Sequence, residues 1–464
     1  MNSFPESGTP PVGCPAHRST DPDAGARIPL YGPEFAANPQ AFYDKMRQHG
    51  PAAPVELAPG VRATLVTDYS AALKILQHPD AFTRDSRRWK ALQEGEVAPD
   101  NPVLGMMAYR PNVLFTDGAE HARLRQAVTD SLARLDAYRV SRHVERVSTY
   151  LVDQFARRGS VDLLNEYAKV LTFLVFNELF GCSAEVGDRL ISGFTGIFDG
   201  IDAEAANQEL AESLVQLVAH KRAEPGDDLT SWLMEHPAKL SDEEMVHQVT
   251  IMLGAGIEAE RNLIANGLLL ILSDERYFGG LYSGGLLVED ALNEVLWNSP
   301  PIANYATHFP LQDVDLGGVT LPARQPVLIS FAAANTDPAL SSSRQMLSTR
   351  AHLAWGSGPH ACPIKDSASL IAVVAIEKLL NQLPDIELAV PADELQWRPG
   401  PFHRALSELP ARFTAVQTAP AARSAATPDR ATAAGIERTA AAAEATGPQG
   451  RGRWWSSFLN WWRA

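Results

Sequence analysis

The chain is acidic and long enough to form a large enzyme domain. Its 464 residues are 45% hydrophobic and 20% charged, and the formal net charge is -15 at pH 7. This charge argues against nucleic-acid binding, which needs a basic surface, and the composition predicts a globular protein with a large core. Three cysteines, Cys14, Cys182 and Cys362, lie far apart in the sequence. Their odd number predicts a reduced, cytoplasmic setting without a disulfide framework.

The first segment, residues 1–27, is rich in proline, glycine, serine and aspartate. It has no charged start followed by an apolar run, so we predict neither a signal peptide nor a membrane anchor. We expect this segment to be disordered. The single folded domain is then predicted at residues 28–416.

A helix with a basic face is predicted soon after Phe115-Thr116-Asp117. Within it His121 and Arg125 are spaced i and i+4, so their side chains lie on one face of the helix. Such a pair can bind an anion, and a generic basic helix face is the alternative interpretation.

A long helix is predicted from Ser241 to about Ser273, a length of roughly 50 Å. Ser241 and Glu244 form a capping box at its start, and no proline interrupts the segment. Two glycines lie at its centre and cost about 1 kcal/mol each relative to alanine. Close packing against another helix is one explanation for them, and a ligand groove is the other. The central sequence is Gly254-Ala255-Gly256-Ile257-Glu258.

The next helix is predicted from about Leu286 to Trp297. It ends before Ser299-Pro300-Pro301, because residues that precede proline tend to leave the helical region. Residues 313–322 then alternate like a strand and hairpin. His308 precedes this hairpin, and its charge is expected to depend on pH near neutrality. A strand histidine without a special role is the alternative.

The most informative segment is a glycine-rich turn that ends in a cysteine and precedes a helix predicted from Asp366 to Leu383. Its glycines allow left-handed backbone angles, so the loop can fold beneath a flat ligand. Amides at a helix N-terminus stabilise an anionic sulfur and lower a thiol pKa. The cysteine could therefore ligate a metal, although a buried loop cysteine is the plainer alternative. The segment is Trp355-Gly356-Ser357-Gly358-Pro359-His360-Ala361-Cys362-Pro363.

This pattern of an aromatic residue, Gly-x-Gly, a basic residue two before the cysteine and a following helix resembles the haem-binding loop of the cytochrome P450 family. The resemblance covers roughly residues 28–416 and implies the cytochrome P450 fold, which is mainly α with small β-sheets. Cys362 would be the axial thiolate of haem b, a ligand that pushes electron density onto iron. The other cofactor-binding residues would be Gly356 and Gly358 in the loop, and His121, Arg125, His308 and His360 at the propionates.

The centre of the long helix resembles the family's oxygen-binding groove. Glu258 matches the acid that relays protons, and the next position, usually threonine, is Ala259. A substrate hydroxyl or an ordered water would have to replace the missing hydroxyl, or the oxygen chemistry is poorly coupled. We expect that at least one of Glu260 and Arg261 points to solvent or forms a local pair.

The family's Glu-x-x-Arg pair is replaced by Glu294 and Trp297. The usual pair is an ion pair in the core on the thiolate side, so Glu294 loses its nearest cation. An unpaired buried carboxylate is costly and should find a partner or become protonated. We hypothesise that Arg344 or Arg350 supplies the charge. An actinobacterial subset of the family shows a similar replacement of this arginine by tryptophan.

The resemblance implies a monooxygenase that inserts one oxygen atom from O₂ into a hydrophobic small organic substrate, in secondary metabolism. Electrons from NAD(P)H would arrive through a reductase and a ferredoxin, with Lys365 and Arg125 near the docking face. Two alternatives stay open: a peroxide-driven haem enzyme, and a haem-binding regulatory or structural protein with little turnover. The substrate pocket would be lined by Leu104, Met106, Met107, Ala255 and Ile302.

The composition changes again from about Gln417. Residues 417–452 are rich in alanine, arginine, threonine, proline and glycine, which predicts a flexible linker. Residues 453–464 form an amphipathic aromatic tail that is too short to span a bilayer. Docking on a membrane surface or on a protein partner through Trp454 to Trp462 is one prediction. Folding back onto the chain's own domain is the alternative.

Overall fold

The computed structural model describes residues 27–199, 203–340 and 350–416. The expected disorder of residues 1–27 therefore falls almost entirely outside the described residues, and so do the predicted linker at 417–452 and the aromatic tail at 453–464. The described ranges are mainly α-helical, with small β-sheets to one side, as predicted.

The α-helices are numbered in chain order and extend from the N-terminal side of the domain to the segment after the cysteine loop. They are α1 (Pro33–Ala37), α2 (Pro39–Arg47), α3 (Tyr69–Gln77), α4 (Lys90–Gln93), α5 (Leu104–Met107), α6 (Gly118–Leu132), α7 (Ala137–Phe155), α8 (Lys169–Leu179), α9 (Ala184–Asp199), α10 (Ala203–Ala223), α11 (Leu229–Glu235), α12 (Asp242–Ser273), α13 (Glu275–Tyr282), α14 (Val288–Asn298), α15 (Phe331–Asn335) and α16 (Lys365–Gln382).

The strands form a six-stranded sheet in the order β1-β2-β3-β9-β6-β4, a three-stranded sheet in the order β10-β11-β5, and the hairpin β7-β8. In the largest sheet β3 and β9 are parallel, whereas β6 is antiparallel to both of its neighbours. The strands are β1 (Ile28–Pro29), β2 (Ala52–Ala58), β3 (Val61–Val66), β4 (Phe82–Thr83), β5 (Ser160–Asp162), β6 (Asn304–Pro310), β7 (Val314–Leu316), β8 (Val319–Leu321), β9 (Val327–Ser330), β10 (Glu387–Leu388) and β11 (Pro410–Arg412).

Helix α12 runs through the largest hydrophobic cluster of the domain. The predicted capping box is present at its start, where Ser241 and Glu244 exchange side-chain-to-backbone hydrogen bonds. Apolar residues recur at helical spacing along α12 and form one buried stripe. Packing of this stripe against the core stabilises the helix along its whole length. These residues are Met245, Val249, Leu253, Ile257, Ile264, Leu268 and Ile271.

The predicted boundaries of the helices that frame the site agree with the structure to within about two residues, the usual uncertainty of helix ends. This holds for α12, α14 and α16, and the hairpin predicted at residues 313–322 is β7-β8. Within the described ranges, every helix is too short or too polar to cross a membrane.

Candidate active site

The cysteine loop is held in one conformation by its glycines. Gly358 has φ +68°, and a Cβ atom at this position would lie 2.3 Å from the carbonyl oxygen of Leu76 in α3. Any other residue would therefore be strained by its backbone angle and by this contact. The amide of Cys362 donates to the carbonyl oxygen of Trp355 at 2.7 Å. This bond closes the loop and sets the cysteine three residues before α16 begins.

The Cys362 thiol is a half-buried group whose pKa is raised above its ordinary value. Burial is the main cause, and it outweighs a hydrogen bond from the Ile364 amide and the charge of Arg125, which both lower the pKa. The expectation of a lowered thiol pKa is therefore wrong for the protein chain alone. Pro363 offers no N–H, and the helix-end amides do not compensate for burial. A metal ion bound to sulfur deprotonates a thiol outright, so iron itself would make this ligand a thiolate.

A cluster of polar side chains surrounds the loop on the side of α6. The His121 and His360 rings lie 4.1 Å apart between centroids, and His360 Nε2 is 3.3 Å from Asp117 Oδ1. Arg125, one turn after His121, donates through Nη2 to the carbonyl oxygen of Ala361. Three of the four predicted propionate contacts thus lie together, and Arg125 also braces the residue next to Cys362.

Burial controls the charges in this cluster. It raises the pKa of Asp117, but hydrogen bonds from His360, Thr83 and the Arg84 amide reverse this effect and bring the value to about 2. Burial lowers the pKa of His121 to about 4, with His360 and Arg125 adding to the shift. His121 is therefore neutral near pH 7 and can donate one N–H, while the cations of the cluster are arginines.

The fourth predicted contact, His308, lies on β6 opposite Val327 of β9 and is 3% exposed. Burial lowers its pKa well below the ordinary value, and the charge of Arg84 lowers it further. The expectation that its charge depends on pH near neutrality is therefore wrong, because the buried imidazole stays neutral there. As a neutral ring it can donate a hydrogen bond to a carboxylate but supplies no positive charge.

Three side-chain nitrogens among these residues lack a hydrogen-bond partner within the described ranges. They are His121 Nε2, His308 Nδ1 and Arg84 Nη1, all buried atoms. Buried donors are normally paired, and each unpaired one is costly. The two carboxylates of a haem would supply acceptors here, so the residues of this cluster fit that group. The sequence did not single out Arg84, because Arg87 and Arg88 follow it closely and no pattern distinguishes the buried one.

The glycines at the centre of α12 have a structural explanation. A Cβ atom on Gly256 would lie 2.3 Å from Cε1 of Phe176 in α8, so Gly256 allows these two helices to approach closely. Ala255 and Ala259, one turn apart, are exposed and partly exposed in the middle of this long helix. The accessible face of α12 is thus formed by alanine methyl groups, in keeping with a groove that a small apolar molecule can enter.

Glu258 is held in a buried ionic network. Its side chain is 2% exposed, and its Oε2 lies 2.7 Å from Arg261 Nη2. Its Oε1 accepts hydrogen bonds from Arg398 and from Asn262. Burial alone would raise the pKa of Glu258, but the charges of Arg261 and Arg398 outweigh it and lower the pKa. The expected local pair is confirmed for Arg261, and Glu258 is ionised at neutral pH.

Glu260 is the second carboxyl group of this turn and behaves in the opposite way. It is 3% exposed, and its Oε1 has no hydrogen-bond partner among the described residues. Burial raises the pKa of Glu260 well above its ordinary value. The pKa values of two carboxyl groups two residues apart are therefore shifted in opposite directions, because the charges of Arg261 and Arg398 act on Glu258 whereas burial dominates at Glu260.

Replacing Arg398 by glutamine is expected to destabilise the protein at pH 7 by about 2 kcal/mol, the usual size for hydrogen bonds to charged groups. Because the folded-state pKa of Glu258 lies below its ordinary 4.5, this stabilisation is present above that pH and is lost as Glu258 protonates at lower pH. Urea unfolding between pH 3 and 7 would measure the difference in the free energy of unfolding between the wild type and Arg398→Gln. A difference that stays constant down to about pH 3 would contradict the assignment to Glu258.

Trp297, which we predict to stand in place of the family's arginine, is buried. Its indole ring packs edge-on against His352, with centroids 5.8 Å apart at 86°. Burial lowers the pKa of His352 to about 4, so this contact joins two neutral rings. Asn335 adds a second link, since it donates to the carbonyl oxygen of Leu296 and accepts from the amide of Leu353. An aromatic contact and an amide thus connect α14 to the segment before the cysteine loop.

Glu294 is partly exposed, which corrects the expectation of a buried carboxylate without a cation. Its Oε1 accepts a hydrogen bond from Asn298 at 2.6 Å, on the exposed side of α14. Arg350 lines a neighbouring cleft together with Glu289 and Asp366. Arg344, the other hypothesised partner, lies outside the described residues. Exposure to water removes the need for a dedicated counter-ion.

Replacing Glu294 by glutamine is therefore expected to change the free energy of unfolding by no more than about 0.5 kcal/mol, as for other partly exposed sites. Haem content after purification should be unchanged. Chemical unfolding and the haem-to-protein absorbance ratio would measure both. A loss of several kcal/mol or of bound haem would instead restore the hypothesis of a buried ion pair.

The predicted substrate residues divide between two apolar clusters. Leu104, Met106 and Met107 pack into a cluster beside Tyr305 and Phe402, and the Tyr305 hydroxyl donates to the Met106 carbonyl oxygen at 2.8 Å. Ile302 packs against a second cluster and forms an isolated bridge with His403. Phe402 and His403 were not predicted as pocket residues, because the chain returns to this region only from a late irregular segment.

Comparisons with known proteins agree with this fold and site. No family model matches the chain. The cytochrome P450 monooxygenase PikC of Streptomyces venezuelae is 32% identical over 397 residues, covering 82% of this chain and 92% of PikC. The 2-hydroxy-5-methyl-1-naphthoate 7-hydroxylase of Streptomyces carzinostaticus is 31% identical, covering 76% and 89% of the two chains. The structure of CYP154C4 from Streptomyces sp. W2061 matches with a TM-score of 0.76 and 28% identity, covering 83% and 97%.

A helical domain of this architecture, with one cysteine in a glycine loop beside unpartnered donors, fits the class of haem proteins. The relatives share the fold and the length of the domain. The chain belongs to the cytochrome P450 family, and it is a monooxygenase with a haem iron cofactor that acts on a small molecule.

Proposed function

We propose that the protein binds haem b, with Cys362 as the axial ligand, and inserts one oxygen atom from O₂ into a hydrophobic small organic substrate. The observation that carries the proposal is the pair of unpartnered buried donors, His121 Nε2 and Arg84 Nη1, beside the cysteine loop. When bound, the haem iron supplies oxygen activation. The protein chain positions the cofactor, excludes water and holds protons near it.

The substrate class follows from the accessible face of α12 and the apolar clusters beside it. Ala255 and Ala259 offer methyl groups, and Met106 and Leu104 lie against the aromatic rings of Tyr305 and Phe402. Such surfaces favour apolar, flat molecules over charged ones. One relative is named for hydroxylation of 2-hydroxy-5-methyl-1-naphthoate, which agrees with a fused-ring substrate and a place in secondary metabolism.

Protons are handled by Glu258 and Glu260 in different ways. Glu258 remains ionised between Arg261 and Arg398 and can accept a proton. Burial raises the pKa of Glu260 well above its ordinary value, which favours its protonated form. The absent hydroxyl at Ala259 leaves the connection between these carboxyl groups and the groove to a water molecule or to a substrate hydroxyl.

Electrons are proposed to come from NAD(P)H through a reductase and a ferredoxin in the cytoplasm. A cleft of about 280 Å³ lies on the thiolate side and is lined by residues of α14, the cysteine loop and α16. Its cations are Lys365 and Arg350, which share the cleft with Glu289 and Asp366. We propose these two cations as the contacts for an acidic donor protein. Binding through Trp454 to Trp462 to a membrane surface or a protein remains a separate prediction for the tail.

The proposal is tested by product formation from a panel of polycyclic aromatic compounds under two conditions. With NADPH, a ferredoxin and its reductase, we expect hydroxylated product in proportion to NADPH consumed. Hydrogen peroxide alone should give little product. The reverse result would establish the peroxide-driven alternative, which Ala259 favours because that chemistry does not need the threonine hydroxyl. Haem binding without product under either condition would instead indicate a regulatory or structural haem protein.

A further inference from the structure

Arg84 lies at the end of β4, next to the cluster formed by His121, His360 and Asp117. The amide of Arg84 and the hydroxyl of Thr83 both donate to Asp117 Oδ2, at 2.8 and 2.6 Å. Asp117 is the residue that precedes α6, so these two bonds join β4 to the start of the helix that carries His121 and Arg125. The backbone of Arg84 is thus fixed beside the predicted propionate contacts.

The Arg84 side chain is buried with its charge incompletely satisfied. It is 4% exposed, its Nε donates to the carbonyl oxygen of Leu114 at 3.3 Å, and its guanidinium carbon lies 5.9 Å from the centre of the Tyr305 ring. Nη1 has no hydrogen-bond partner among the described residues. Burying a charge is costly unless it is paired, and burial lowers the pKa of Arg84 despite the opposing effects of Tyr305 and Asp117. An anion at Nη1 would complete the pairing of this guanidinium.

Asp117, the acidic residue near Arg84, already accepts other hydrogen bonds. The two oxygens of Asp117 are engaged by Thr83, by the Arg84 amide and by His360. The pKa values of three histidines are lowered mainly by burial and further by the positive charge of Arg84. These histidines are His121, His308 and His360. Arg84 is therefore electrostatically coupled to every predicted propionate histidine.

We infer that Arg84 binds a haem propionate and supplies a positive charge next to His308, which stands where the family usually has arginine. This inference rests on the haem b binding of the proposed function. It assigns a cofactor contact to a segment, residues 82–84, that the family resemblance did not name among the propionate contacts. Guanidinium and carboxylate groups form strong charge-assisted hydrogen bonds, and a buried site strengthens them further.

The test compares haem with its dimethyl ester, in which both propionates lose their charge. Apoprotein of the wild type and of Arg84→Gln, Arg84→Lys and Arg88→Gln is reconstituted with each porphyrin. Release is then timed by transfer to excess apomyoglobin. Arg88 is a matched control, because it lies four residues further on in the same segment and is exposed.

We expect Arg84→Gln to release haem about tenfold faster or more, the effect of one hydrogen bond to a charged group, and Arg84→Lys to be intermediate. Release of the dimethyl ester should differ little between Arg84→Gln and the wild type, and Arg88→Gln should match the wild type for both. Equal acceleration for both porphyrins would show a purely structural role and overturn the inference. Failure of the wild type to bind either porphyrin would instead overturn the proposed haem function itself.

Discussion

Replacing Cys362 by alanine is expected to abolish the red-shifted Soret band of the dithionite-reduced carbon monoxide complex. That band requires thiolate ligation of the iron, and Cys362 is the cysteine of the glycine loop. Difference spectra of the purified wild type and variant would measure it. Haem content should fall as well, although the propionate contacts of α6 remain.

Cys182→Ala is the matched control for this experiment. Cys182 is the other free cysteine of the described residues, and burial raises the pKa of its thiol to about 12. A thiol of this kind is inert, so the control should keep the full band. A variant at Cys362 that retains the band, or a control that loses it, would contradict the assignment of the axial ligand.

Replacing Lys221 by methionine is expected to destabilise the protein by about 3–5 kcal/mol, because it leaves a buried carboxylate without its partner. Lys221 Nζ lies 2.6 Å from Asp228 Oδ2, and the side chains are 9% and 6% exposed. Asp228 also caps α11, since its other oxygen accepts from the amide of Ser231 at 2.9 Å. Denaturant unfolding at pH 7 would measure the loss.

Two further variants separate charge from structure at this pair. Lys221→Met combined with Asp228→Asn removes both charges but keeps an oxygen for the helix cap, so it should recover part of the lost stability. Arg139→Met breaks the nearby pair with Asp227, whose side chains are 66% and 65% exposed, and it should change stability little. Equal losses at the buried and the exposed pair would rule out burial as the cause.

Burial explains the corrections at the site. Local sequence predicted a lowered thiol pKa at Cys362 and a titrating His308, because helix ends and imidazoles have those tendencies in water. In the structure the surroundings of both groups are poorly solvated, and the neutral form is favoured in each case. Glu294 shows the opposite error, since a carboxylate predicted in the core is partly exposed and bonded to Asn298.

The amino-acid sequence by itself determined the helices that frame the site and the family. Periodic apolar residues, the Ser241 capping box and the glycine spacing before Cys362 are local patterns, and each is contained in a short stretch of chain. Tertiary structure alone decided that Glu258 pairs with Arg398, 140 residues away, and that burial raises the pKa of Glu260. It also decided that Arg84, rather than Arg87 or Arg88, is buried next to the cluster formed by His121, His360 and Asp117. Charge and solvation depend on which distant segments pack together, and no local pattern records that.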